Sequence, residues 1–270
     1  MFKKIKDFDY LSQVLFLLFV FFLPNVLDVY SRIEPQVKSA PINFEEFIYY
    51  LIFIALKLGN WGIGIIASVS LLFCFRITNK DKFINRGKEY HKHSYLYYWV
   101  AAKIFNYRTC NLANVPIYMQ FKLVLSDMFD KYEYGPIHTS NADKISIKGN
   151  NDSKYTDTIN LVLSDTYKIE LNALPECVTH LTTLEIDRSK DSDMNRYYSE
   201  DFIKFVQQTV KELPASIVKV NLFATLNPKN SYHIAKEVFS LPSRNSIKSL
   251  SVFQQQDESR KFETRGHRIY

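Results

Sequence analysis

Residues 11–30 read LSQVLFLLFVFFLPNVLDVY, and between Leu11 and Leu27 no side chain is charged. Twenty helical residues at about 1.5 Å each cover roughly the 30 Å hydrocarbon core of a bilayer. A cleaved signal peptide fits poorly. The stretch is long and aromatic, no small-x-small cleavage pattern follows, and a second apolar run comes soon after. Pro24 and Asn25 predict a kink or an early end, which places Asp28 at the far interface.

The second run is longer. Asn43 is placed to cap a helix that starts at Phe44, with Glu46 completing a capping box, and apolar residues then run from Phe47 to Phe75. A helix over 44–76 exceeds what a perpendicular crossing needs, so it must tilt, project, or break near Gly59-Asn60. Lys57 is tolerated if its stem snorkels or faces water. Residues 1–76 therefore read as a transmembrane hairpin, with helices over about 11–30 and 44–76. Asn60, Gly64 and Ser68 recur every four residues and share one helix face. Two readings stand for that stripe: packing against the first helix, or self-association in a homo-oligomer whose central space is faced by Asn60 and Lys57.

Charge sets the expected orientation. Lys3, Lys4 and Lys6 precede the first helix, and Arg76, Lys80, Lys82, Arg86, Lys88 and Lys92 follow the second, against only Asp81 and Glu89. The connecting loop carries Arg32 and Lys38 against Glu34, Glu45 and Glu46. The positive-inside bias then puts both termini in the cytoplasm, as a multi-pass protein of a cell inner membrane. Much of the +6 net charge sits in residues 77–93, a basic juxtamembrane linker suited to anionic lipid head groups. Direct nucleic-acid binding is not expected. Cys74, Cys110 and Cys177 are odd in number and widely spaced, which suits reduced thiols in a cytosolic compartment.

Residues 94–151 read as a short aromatic helix plus a β-rich connection, including VPIYMQFKLVL (Val115–Leu125) and a short KISIK strand. Residues 152–270 are better organised. Strand-like runs occur at INLVL (Ile159–Leu163), LTTLEI (Leu181–Ile186), IVKVNLF (Ile217–Phe223) and IKSLSVF (Ile247–Phe253). Helical patterns start near Ser199 and after Pro228. The alternation predicts an α/β domain of parallel βα units.

Two family resemblances arise from these runs. The strands share an apolar-x-x-apolar-x-apolar-x-x-polar frame, as in Leu181/Leu184/Ile186/Ser189 and Ile217/Val220/Leu222/Thr225. This resembles leucine-rich repeats, which would imply a concave protein-binding face. The stretch VNLFATLNPKNSYHIAKEVF (Val220–Phe239) runs from strand through a short polar turn to helix. It is similar to the ligand loop of Rossmann-like domains that sense cyclic oligonucleotides in prokaryotic antiviral systems, several of which join two membrane helices to the sensor.

In an open parallel sheet, ligands sit beyond the carboxyl ends of the strands. Those ends carry Asp165, Thr166, Arg188, Ser189, Thr225, Asn227, Asn230, Ser231 and Gln254, a set of hydroxyls, amides and one arginine suited to a nucleotide. Seven glycines serve the whole chain, and no phosphate-binding loop or dinucleotide fingerprint is present. His91-x-His93 lacks a third metal ligand nearby, and no nucleophile–base motif is recognisable. Neither catalysis, cofactor nor metal is expected. The reading is a prokaryotic inner-membrane effector whose cytosolic domain senses a cyclic oligonucleotide or protein trigger and whose oligomerised hairpins permeabilise the membrane in antiviral defence. The alternative is a membrane-tethered, non-catalytic scaffold with a repeat-like face.

Overall fold

In the computed structural model each apolar stretch forms two helices rather than one. Described are residues 10–39, 47–87, 89–139, 145–150, 157–188, 197–240, 246–256 and 259–270; Lys3, Lys4, Lys6 and the Asn43–Glu46 capping box lie outside them. Two units are formed, one from residues 1–87 with 96–109 and one from residues 88–95 with 110–270.

In the first unit, helix α1 (Tyr10–Leu27) passes through Pro24 and stops three residues later. Asp28 takes a φ of 45°, and α2 (Val29–Ser39) continues at 72° to α1. The single helix expected over 11–30 is thus two. The one expected over 44–76 also divides, into α3 (Phe47–Lys57) and α4 (Asn60–Asn79). Gly59 makes that break with a φ of +65°, a conformation that a side chain disfavours.

α1 and α4 run antiparallel along a series of matched contacts. Gln13 exchanges amide hydrogen bonds with Asn79 at 3.0 and 2.7 Å. The Phe16 and Phe75 rings lie 6.4 Å apart, and the Ser68 hydroxyl donates to the Leu17 carbonyl at 3.3 Å. At Gly64 a Cβ would collide with the Phe21 carbonyl. Where the pair ends, the Asn60 amide donates to Asp28 at 2.8 Å and accepts the Tyr30 backbone N–H at 2.7 Å. The same unit holds the short strand β1 (Phe83–Ile84) and α5 (Tyr95–Trp99), which runs on as a π turn to Ile104. Arg76 donates to the carbonyls of Lys103 and Ile104 at 2.8 and 2.7 Å, so this cation is engaged by the end of that turn.

The second unit is built on a six-stranded sheet. Its strands are β4 (Ser146–Asn150), β5 (Thr158–Ser164), β6 (Thr183–Asp187), β7 (Lys219–Thr225), β8 (Ser249–Phe253) and β9 (His267–Arg268), in the order β4-β6-β5-β7-β8-β9. The middle four are parallel, and β4 and β9 are antiparallel edges. This order corrects the leucine-rich-repeat alternative. A solenoid stacks consecutive strands in sequence, whereas here β5 lies between β6 and β7, as in doubly wound folds. The repeat-like frame arises because buried parallel strands are apolar on both faces.

Register explains the core. Ile159, Val220 and Leu250 are paired partners, as are Leu161, Leu222 and Val252, so they share one sheet face. Val162, Phe223 and Phe253 share the other and pack with Ile169, Leu174, Val178 and Phe262. Asn160 is buried on that second face but satisfied. It donates to the Val178 carbonyl at 2.8 Å and accepts from Asn221 at 3.1 Å.

Around the sheet are α7 (Glu200–Lys211) and α8 (Pro228–Ile234), the latter extended by a π turn to Phe239. Short strands β2 (Thr109–Asn111) and β3 (Lys131–Glu133) flank α6 (Ile117–Leu125). The VPIYMQFKLVL segment expected to be β-rich is that helix. Pro116 precedes its first turn, and Met119, Gln120, Phe121, Leu123 and Val124 are buried along it. Tertiary burial overrides the strand preference of its residue types here.

Candidate functional site

The carboxyl ends of β5, β6 and β7 converge on one buried carboxylate. Asp165 follows β5, and its side chain is fully enclosed. It accepts from Arg188 Nε at 2.5 Å, from the Asn227 backbone N–H at 3.2 Å, and from the Asn227 and Asn230 amides at 3.1 and 2.9 Å. Arg188 also donates to the Tyr197 carbonyl at 2.6 Å, and the Asn227 amide donates to it at 2.8 Å. Burial pushes the Asp165 carboxyl up from its ordinary pKa, while the Arg188 charge and the amide hydrogen bonds act in the opposite sense.

Local sequence sets these positions. Asn227 caps α8 by accepting the N–H groups of Lys229 and Asn230 at 3.0 and 2.9 Å, followed by a proline in the first turn. Ser199 caps α7 in the same way, through the Phe202 N–H at 3.1 Å. Thr225 donates to the Tyr167 carbonyl at 2.7 Å, and Thr166 donates to the Thr225 carbonyl at 2.9 Å.

Beside this network, within the same unit, a cleft of about 640 Å³ opens at the carboxyl end of β8. Gln254, Gln255 and Gln256 form one wall, and Pro116 and Tyr118, where α6 begins, form another. Ser259, Glu263 and the β9 residue His267 face them, and Tyr90 and Lys92 complete the rim. Tyr118 stacks flat on His267, with ring centroids 3.6 Å apart and planes 9° apart. A His267 ring nitrogen lies 2.9 Å from a Glu263 oxygen. Gln254 is oriented by the Ile117 N–H, which it accepts at 3.1 Å. Gln255 is oriented by the Tyr167 hydroxyl, and Gln256 by Ser259 at 3.1 Å. Burial, and then the Glu263 charge, raise the pKa of the Tyr118 phenol, which keeps it neutral. A flat aromatic pair, carboxamides and an ammonium suit base stacking, base-edge hydrogen bonding and phosphate pairing.

The residues expected to bind a ligand therefore divide. Asp165, Arg188, Thr225, Asn227, Asn230 and Ser231 are all at least nine-tenths buried. They occupy the point where strand order reverses, and most of their polar atoms bond one another. Thr166 is half-buried beside them, and Ser189 lies outside the described residues. Only Gln254 lines the cleft. Tyr90, Lys92, Tyr118, Glu263 and His267 were not anticipated, because they come from distant segments that only the β8–β9 pairing and α6 bring together. In the first unit, Gly64 and Ser68 face α1, Asn60 bonds Asp28 and the Tyr30 N–H where α1 gives way to α2, and Lys57 lies 5.0 Å over the Phe53 ring.

A family model described as "SMODS- and Ubiquitin system-associated 2TM effector domain" matches residues 2–270. No curated protein matches the chain. Among solved structures, the Acinetobacter baumannii Cap4 SAVED/CARF-domain containing receptor with the cyclic trinucleotide 2'3'3'-cAAA aligns with a TM-score of 0.46 at 9% identity, over 64% of this chain and 41% of that one. The same receptor with 3'3'3'-cAAA aligns with a TM-score of 0.44 at 9% identity, over 59% and 38%. The chain spans about two fifths of that receptor's length.

Proposed function

The chain belongs to the SMODS- and ubiquitin system-associated 2TM effector family, and we propose that its α/β unit is triggered by a cyclic oligonucleotide bound in the β8 cleft. It is a membrane effector with a sensor domain in antiviral defence. The observation that carries the trigger proposal is the convergence of Tyr118 stacked on His267, the Gln254–Gln256 carboxamides and Lys92 around one cleft. The sequence leaving α4 reaches this cleft at Tyr90 and Lys92. Ligand bound there would bear directly on the segment that follows the membrane helix.

In this reading the helical units of several copies assemble, and ligand-driven rearrangement makes the membrane leak without a chemical step. The stripe at Asn60, Gly64 and Ser68 is taken up by α1 and the Asp28–Tyr30 bend, so an assembly would use other faces of α4 or exchange this one. Both termini are placed on the cytoplasmic side of an inner membrane, on the strength of the basic residues flanking the hairpin.

The test is thermal unfolding of the full chain in detergent with a panel of cyclic di- and trinucleotides. One compound should raise the melting temperature, and Tyr118→Ala should abolish the rise while leaving the unliganded melting temperature close to that of the parent. Absence of stabilisation by every member of the panel, or undiminished stabilisation of Tyr118→Ala, would overturn the proposal.

A further inference from the structure

We infer that α3 is a third lipid-contacting element, inserted into the bilayer without crossing it. The inference rests on the chain being a two-span membrane protein. The spans themselves are accounted for: α4 has 20 residues and α1 has 18, about 30 and 27 Å of helix. Their pairing runs from Gln13–Asn79 to Asp28–Asn60, which marks both ends of the crossing.

α3 lies beyond the second of those marks in sequence and leads into α4 through Leu58 and Gly59. It reads FIYYLIFIALK, with no charge before Lys57. The eleven residues between Glu46 and the end of α3 give about 16 Å, roughly half the hydrocarbon thickness. The left-handed φ at Gly59 ends helical continuity, so α3 does not prolong α4 into one long span. Yet Tyr50, Leu51, Ile52 and Ile54 are 38–48% exposed and Leu58 is 58% exposed. Lys57 turns back over the Phe53 ring at 5.0 Å, a fold-back that suits a cation near an apolar medium.

An apolar, carboxylate-free helix fastened to the end of a membrane span has acyl chains as its immediate surroundings. Its apolar run, bounded in sequence by Glu46 and Lys57, is too short to cross and limits it to one leaflet. The occupant of its exposed side is therefore lipid, in the leaflet at the Asp28–Asn60 end of the hairpin.

Spin labels placed one at a time by Tyr50→Cys, Leu51→Cys, Ile54→Cys and Leu58→Cys test this in the full chain reconstituted in liposomes. The background is Cys74→Ser with Cys177→Ser. Cys110, with no exposed surface, is retained, and the background protein should take up no label. Val69→Cys on α4, 47% exposed in the structure, is the reference for a spanning position. Collision with oxygen should exceed collision with a nickel chelate at the α3 sites, at depths that stay within one leaflet. Chelate-dominated collision at those sites with Val69 deep in lipid overturns the inference alone. A wet Val69 overturns the two-span reading beneath it. Depths that continue through the midplane make α3 part of a span. Low collision with both probes plus spin–spin broadening assigns the face to a second copy. Either of the last two outcomes also overturns the inference.

Discussion

Asp165 sits where the sequence places a ligand-binding carboxylate, but the structure surrounds it with four donors from Arg188, Asn227 and Asn230. Such a group fixes the ends of β5, β6 and β7 relative to one another. Asp165→Ala leaves Arg188 buried without its partner, so a loss of about 3 kcal/mol is expected. A fall in melting temperature of the full chain, with or without ligand, would show it. A second buried carboxylate behaves differently. Burial, and then the Asp187 charge, raise the Glu185 pKa. The folded chain thus holds that proton more tightly than the unfolded chain. The associated stability is fully present below the unfolded pKa and is lost as pH rises through the folded one. Glu185→Gln should raise the melting temperature by about 2 °C at pH 7, with the gain shrinking toward pH 4. A gain that grows on acidification would contradict this assignment.

Among the elements, the α1–α4 pair depends on the missing side chain at Gly64, where a Cβ would meet the Phe21 carbonyl. Gly64→Val should cost about 1–3 kcal/mol through forced separation of the helices. Cysteines placed at Leu17 and Ser68 should crosslink in the parent background and more slowly in Gly64→Val. In the α/β unit, stacking of a base on Tyr118 under the proposed function would be worth about 1–3 kcal/mol. Tyr118→Ala should therefore weaken ligand binding by roughly 5- to 150-fold in equilibrium titration. The membrane elements were legible because their apolar runs are long, and the Gly59 break because glycine takes the φ it needs. The Asp28 break was not, since Pro24 drew attention three residues too early. α6 was misread because Ile, Tyr, Phe and Val between Ile117 and Leu125 resemble a strand until their burial in three dimensions is known.

For the whole molecule, the parallel βα alternation predicted a sheet, but strand order was beyond the sequence. Two architectures fit the same frame, and only the position of β5 between β6 and β7 separates them. The site shows the same limit. Strand ends are visible in a sequence, so Asp165, Arg188 and Asn227 could be placed at them. Which strand end stays open is decided by segments as distant as Tyr90, Tyr118 and His267. Family membership makes the chain a 2TM effector, and the proposed function adds a ligand-sensing role for the α/β unit. Dye-loaded liposomes carrying the full chain test that combination most directly. On addition of the cyclic oligonucleotide that stabilises the protein, the vesicles should empty, and vesicles carrying Tyr118→Ala should not. Vesicles that bind the ligand yet stay sealed at every protein density would contradict the permeabilising role.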